Sequence, residues 1–290
     1  MVALPYRAGR HCQNSLNALH STIYFSPDLE KDLAEHGIGD QMLVYLLGRA
    51  APLGAAGAGV VTATFNGFKH DLIAKHIPHV WGVVAPRTVL DMRLRAADST
   101  LRRFLGEEIV GSPDMAEAAG LALRASEACS RAARPLYAAN ADLPVPRTPH
   151  LALWHAATLL REHRGDSHFA ALANADLDGL EALVSHSASS DGLPRDMVMS
   201  KRGWTQEDWT AAEQRLRRRG LMDSAGELTT EGVQLRGRLE DETDRLDRAP
   251  YEHLGTVGVE RLTVLCTRFT AVAADGGAFP PGLSEFFTRP

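Results

Sequence analysis

Residues Trp204 to Arg248 constrain the fold more than any other stretch, because they read as helix, tight turn and helix with a start or stop signal at every boundary. Thr205 is an N-cap residue followed by Gln206, Glu207 and Asp208, which puts polar and acidic side chains at the positive end of a helix predicted to reach Arg219. Gly220 ends it. Asp223-Ser224-Ala225-Gly226 is a polar turn between Leu221-Met222 and Glu227-Leu228-Thr229, which predicts a small two-stranded wing. Thr229 or Thr230 then caps a second helix, whose apolar residues Val233, Leu235, Leu239 and Leu246 recur at helical spacing until Ala249-Pro250. Helix, wing and helix in this order form half of a winged helix.

The rest of the chain is rich in Ala and Leu and poor in alternating β-branched runs, so a mainly α protein is expected. Helices are predicted over about 8–22, 27–36, 40–50, 57–65, 69–76, 86–106, 113–139, 149–164, 167–174, 177–188, 205–219, 230–247 and 256–274. Strands are confined to the wing. The segment from Asn140 to Pro149 holds three prolines beside an Asn/Asp pair and is the best linker, dividing the chain into an N-terminal helical domain, 1–140, and a C-terminal winged-helix-containing domain, 141–290. Two related winged-helix halves remain open.

Charge decides against one use of such a module. With 31 Lys+Arg against 36 Asp+Glu the net charge is −5, whereas duplex DNA is held mainly through a basic face. Arg215, Arg217, Arg218 and Arg219 crowd the end of the helix before the wing, where cations also suit the helix dipole. Its first half carries Glu207, Asp208 and Glu213. DNA binding is therefore not expected, although a regulator would use Thr210, Gln214, Arg217 and Arg218 on the duplex. Three scattered cysteines, Cys12, Cys129 and Cys266, argue against a disulfide framework, and no apolar run reaches the roughly 18 residues of a membrane span. A cytoplasmic location is expected, with no membrane partner; a homodimer stays open.

Chemistry concentrates in two places. In Leu151–His168, His155, Arg161, His163, Asp166 and His168 surround Gly165, which is read as a helix C-cap with Asp166 capping the next helix. The bland reading is a structural corner. The sharper one makes His163, His155, Asp166 and His168 an acid–base set, with Arg161 holding an anionic substrate. Nearer the N-terminus, His20 and Tyr24 are helical i, i+4 neighbours and, with Arg49, Phe65 and Asn66, are candidate substrate contacts. No metal is expected, since His163 and His168 lack the HExxH spacing, and no cofactor, since neither GxxxxGK[ST] nor GxGxxG occurs; GxSxG is absent too.

The segment RLRRRGLMDSAGELTTEGVQLRGRLEDETD resembles the second half of MarR-type winged helices. Together with HSTIYF, GRAAPLG, TATFNGF and LWHAATLLREHRGDSH it resembles, over nearly the whole chain, an actinobacterial helix-turn-helix family described as SalK-like. One departure is Lys69-His70 after Phe68, where His-Pro is more usual. That resemblance implies an α-rich protein associated with specialised-metabolite genes and assigns no catalytic residue. The favoured reading is a small-molecule-binding protein with an inter-domain pocket, its most concrete form an acid–base enzyme (lyase, isomerase or hydrolase). The alternative is a winged-helix transcription regulator.

Overall fold

The computed structural model describes residues 4–190, 192 and 194–282 and is mainly α. Its helices are α1 (Ala8–Ser21), α2 (Asp28–Ala34), α3 (Gln41–Ala50), α4 (Ala58–Phe65), α5 (His70–Ala74), α6 (Pro86–Val110), α7 (Pro113–Ser126), α8 (Pro135–Ala141), α9 (Pro149–Asn174), α10 (Gly179–Ser187), α11 (Arg195–Arg202), α12 (Gln206–Arg218), α13 (Thr230–Leu246) and α14 (Ala249–Asp275). The β pairing among the described residues is one antiparallel bridge, Met222 to Leu228. No single helix among them is long and apolar enough to cross a membrane.

Two compact units form, and both are discontinuous. The first comprises residues 1–54, 83–165 and 246–290; the second comprises 55–82 and 166–245. The proline-rich segment from Asn140 to Pro149 thus lies inside the first unit rather than between domains. Its first residue shows why: Asn140 is buried, donates to the Leu136 carbonyl (2.8 Å) and accepts from Arg93 Nη2 (3.1 Å). A linker leaves such groups to water.

In the first unit α1 packs along α14, which also packs on α7, around a core that includes Leu16, Leu101, Met115, Leu153, Leu160, Leu262 and Phe269. The helix predicted over 113–139 stops at Ser126 and resumes at Pro135. Steric contact with the proline ring drives Arg134 out of the helical region, to φ −129° and ψ 75°.

The second unit buries Phe65, Ile73, Leu172, Leu180, Trp209, Leu216 and Leu221. The short α11, missed in sequence, buries only Val198 and so shows no apolar stripe. From Trp204 onward the expected order is formed. Thr205 and Asp208 make a reciprocal capping box at the start of α12. Gly220, at φ +71°, follows it. The wing shrinks to the single bridge, its turn closed by the Asp223 carboxylate accepting from the amides of Ala225 (2.8 Å) and Glu227 (2.9 Å). Thr229 caps α13 by accepting from Gly232 N (3.1 Å), and a β-carbon at Gly232 would stand 2.1 Å from the Leu221 carbonyl oxygen. The TTEG motif is therefore a cap followed by a close backbone approach.

Candidate functional site

The largest departure from the sequence reading is at Gly165. It is neither a C-cap nor in the left-handed region: α9 continues from Pro149 to Asn174, so Asp166 is not an N-cap and no corner exists. Burial explains the continuity. Glu162, His163, Asp166 and Ser167 are all 5% exposed or less, so breaking the helix here would strip packing from polar groups that already have partners. Along a continuous helix His155 and His168 are about 20 Å apart at 1.5 Å per residue, which is too far for one acid–base constellation. His163 instead pairs with Asp247, Nδ1 to Oδ1 at 2.5 Å, and packs edge-on to Tyr137. Burial raises the Asp247 carboxyl, opposed by His163 and Arg164. His168 belongs to the second unit, its Nδ1 2.9 Å from Thr243 Oγ1. Phe65 packs there on Phe68, and the Asn66 carbonyl lies where a Gly179 β-carbon would come within 2.2 Å.

Four of the sequence candidates do meet, inside the first unit, around a buried ionic cluster. Arg49 Nη2 on α3 donates to Glu162 Oε2 on α9 at 3.0 Å, with the two side chains only 11% and 6% exposed. Arg161 donates to the other Glu162 oxygen and, through Nε, to Asn17 Oδ1 at 3.0 Å. Arg93 on α6 donates to the Gly48 carbonyl (2.8 Å) and to Asn140.

An aromatic wall joins these groups. Arg49 also donates to Tyr45 Oη (3.1 Å), Tyr45 and Tyr24 have ring centroids 5.2 Å apart, and Arg161 lies 5.6 Å from the Tyr24 centroid. Tyr24 meets His20 edge-on at 5.6 Å. His20 stacks flat on Trp154 at 5.3 Å, and the Arg93 guanidinium lies 5.0 Å from the Trp154 centroid. The i, i+4 spacing of His20 and Tyr24 predicted their proximity. Arg93, Tyr45, Trp154, Thr158 and Glu162 were not singled out from sequence, although Trp154, Thr158 and Arg161-Glu162 fall at i, i+4 and i+7/i+8 on one face of α9.

Electrostatics sets the states of these groups. Burial pushes Glu162 up, but Arg49 and Arg161 outweigh it and hold the carboxyl below its usual range. Burial lowers the Arg93 guanidinium. His20 is driven well below an ordinary imidazole, first by burial and then by Arg161, Arg93 and Arg49; His155 falls to about 4 through burial and Arg93. Both imidazoles are neutral at pH 7. Glu162 acts electrostatically on all three guanidiniums. No group of three or more His, Cys, Asp or Glu side chains among the described residues is placed to hold a metal ion.

Fold and cluster together define a two-unit helical protein with a buried, aromatic-walled ionic cluster in its first unit. A helix-turn-helix family matches residues 9–280, and the chain belongs to that family. Neither a curated protein nor a solved structure matches it.

Proposed function

We propose that this helix-turn-helix family member is a small-molecule-binding protein whose ligand is an organic anion held by Arg49, Arg93 and Arg161. The observation that carries this reading is the convergence of three buried guanidiniums, Arg49, Arg93 and Arg161, beside an aromatic wall within one unit. Guanidinium forks bind carboxylate in a bidentate manner, and the rings of Tyr24, Tyr45, His20 and Trp154 offer flat apolar surface to the body of such a molecule. In this reading Arg161, His20, Tyr24 and Arg49 contact the ligand. His155, His163, Asp166, His168, Phe65 and Asn66 take no part.

Family membership favours a second reading, DNA binding by a winged helix in the second unit. Charge weighs against it. Residues 55–82 and 166–245 hold 12 Lys and Arg against 17 Asp and Glu, so this unit alone carries a net charge of −5. Two of the three arginines of α12 are also engaged. Arg215 pairs with Asp178 (2.7 Å) and Glu181 (2.8 Å), and Arg217 with Glu213 (3.3 Å) and the Asp223 carbonyl (2.8 Å). Arg219, just beyond the helix, donates to the Ala175 and Asp176 carbonyls.

Calorimetric titration with a panel of carboxylates, phosphate and sulfate tests the first reading. Binding that is lost in Arg49→Met and Arg161→Met, while both variants keep their helical circular dichroism, is the expected result. Failure of every anion to bind, combined with nanomolar sequence-dependent binding of duplex DNA at physiological salt, would replace it with the second.

A further inference from the structure

One face of α14 exposes apolar side chains at a regular interval. Beyond the break at Gly255, where φ is +77°, the helix continues to Asp275 and buries Val259, Leu262, Leu265, Cys266, Phe269 and Ala273. On its opposite side Val257 and Val264 are 80% and 61% exposed, and Ala271 is exposed as well. These three recur every seven residues, the interval at which one helix keeps a seam against another. Glu260, Thr267, Arg268 and Asp275 are also exposed and share with them an arc of about 100° on the helix surface. Arg268 reaches Asp114 of α7 at 2.5 Å, whereas Glu260 and Asp275 make no ion pair among the described residues. Three charges along the seam disfavour a lipid surface as its cover.

We infer that a second copy of this chain covers the seam, the two α14 helices running antiparallel about a two-fold axis at Val264. Residues equally far from Val264 on either side then face each other across the axis. Val257 meets the partner's Ala271, and Glu260 meets the partner's Arg268, each contact occurring twice. Charge complementarity selects this arrangement. A parallel pairing would set Glu260 against Glu260 and Arg268 against Arg268, whereas the antiparallel one gives two opposite-charge contacts flanking an unbroken apolar row. The face is thus self-complementary, as a two-fold contact between identical surfaces requires. The bond from Arg268 to Asp114 is compatible with it, because one guanidinium carries five N–H donors and can serve two carboxylates.

Analytical ultracentrifugation of the full chain at micromolar concentration should show a monomer–dimer equilibrium. Val264→Asp should weaken it about tenfold or more with unchanged helical circular dichroism, because it buries an unpaired carboxylate at the axis of the dimer and nothing in the monomer. Glu260→Arg and Arg268→Glu should each weaken self-association by setting like charges across the axis, and an equimolar mixture of the two variants should associate as the wild type does. Mild oxidation with diamide reads the register. Val264→Cys should form a disulfide-linked dimer that the wild type does not; Val257→Cys should not link to itself, its two copies standing about 20 Å apart, but should link to Ala271→Cys. A wild-type chain that stays monomeric at high micromolar concentration would overturn the inference. So would a dimer that Val264→Asp leaves intact, which would put the contact on another face, or self-linking of Val257→Cys in place of Val264→Cys, which would rule out this register.

Discussion

Arg49 on α3 and Glu162 on α9, separated by 113 residues, meet at 3.0 Å with both side chains withdrawn from water. This pair anchors the buried ionic cluster. Glu162 divides its two oxygens between Arg49 and Arg161, so neither arginine has the carboxylate to itself, and Arg93 is left with neutral acceptors.

Glu162→Gln should therefore be strongly destabilising, by about 3 kcal/mol or more, because it leaves buried guanidiniums without their counter-charge. Arg49→Met/Glu162→Gln should recover part of the loss. Added sulfate should raise the melting temperature of Glu162→Gln more than that of wild type, since the anion replaces the missing charge. Chemical denaturation with and without sulfate measures both effects. A single variant as stable as wild type would mean that the cluster is hydrated and not a buried ionic site.

The pH dependence follows from the neutral imidazoles. His155 titrates at about 4 in the folded protein against 6.5 when free, and His20 is also shifted well downward, so the unfolded chain binds more protons across that interval. Stability must then fall as pH drops from about 6.5 toward 4, and His155 alone accounts for about 3 kcal/mol at 1.36 kcal/mol per pH unit. Asp247 acts in the opposite sense: its raised carboxyl favours the folded state on acidification and offsets part of the loss. His155→Gln should flatten the acid limb of the curve. An unchanged slope between pH 6.5 and 4 would show that His155 is solvated.

Much of this was legible in the residues, and the boundary between legible and hidden is physical. The capping box at Thr205, the stop at Gly220 and the cap at Thr229 are local devices, fixed within four residues by hydrogen bonds that any sequence of this kind makes. Gly165 followed the same local logic and gave the wrong result, because a helix buried on several sides holds a glycine in helical conformation at a cost of about 1 kcal/mol. Tertiary burial outweighed propensity there. At the cluster, His20, Tyr24, Arg49 and Arg161 were recognisable as polar groups in apolar helices. Glu162 was not singled out, because its pairing with Arg49 depends on a contact 113 residues away that no spacing rule reports.

The arginines of α12 give a prediction about the second unit. Arg215 joins α12 to the capping box of α10 through Asp178 and Glu181, with its own side chain 35% exposed. Arg215→Ala should cost about 1 kcal/mol, the modest value of a half-solvated network. Arg218, exposed at the end of α12, should tolerate alanine within about 0.5 kcal/mol. If α12 read DNA, Arg218→Ala would instead lower duplex affinity, and anisotropy on the two variants would expose that reversal.

Two glycines supply the sharpest test of the fold, because the same substitution should act with opposite signs. At Gly165 the backbone is helical and the nearest atom to an added β-carbon is Glu162 Oε2 at 3.8 Å, an ordinary contact. Gly165→Ala should stabilise by about 0.5 to 1 kcal/mol, by reducing the freedom of the unfolded chain and raising helix propensity. At Gly232 the added β-carbon would meet the Leu221 carbonyl at 2.1 Å, and a backbone atom cannot step aside as a flexible side chain can. Gly232→Ala should therefore cost about 1 to 3 kcal/mol and loosen the junction between the turn and α13. Urea denaturation of both variants reads the two signs directly. If Gly165→Ala were destabilising by more than 1 kcal/mol, α9 would be broken at Gly165 after all, and the Arg161-Glu162 pair would lose the continuous helix that carries it into the cluster.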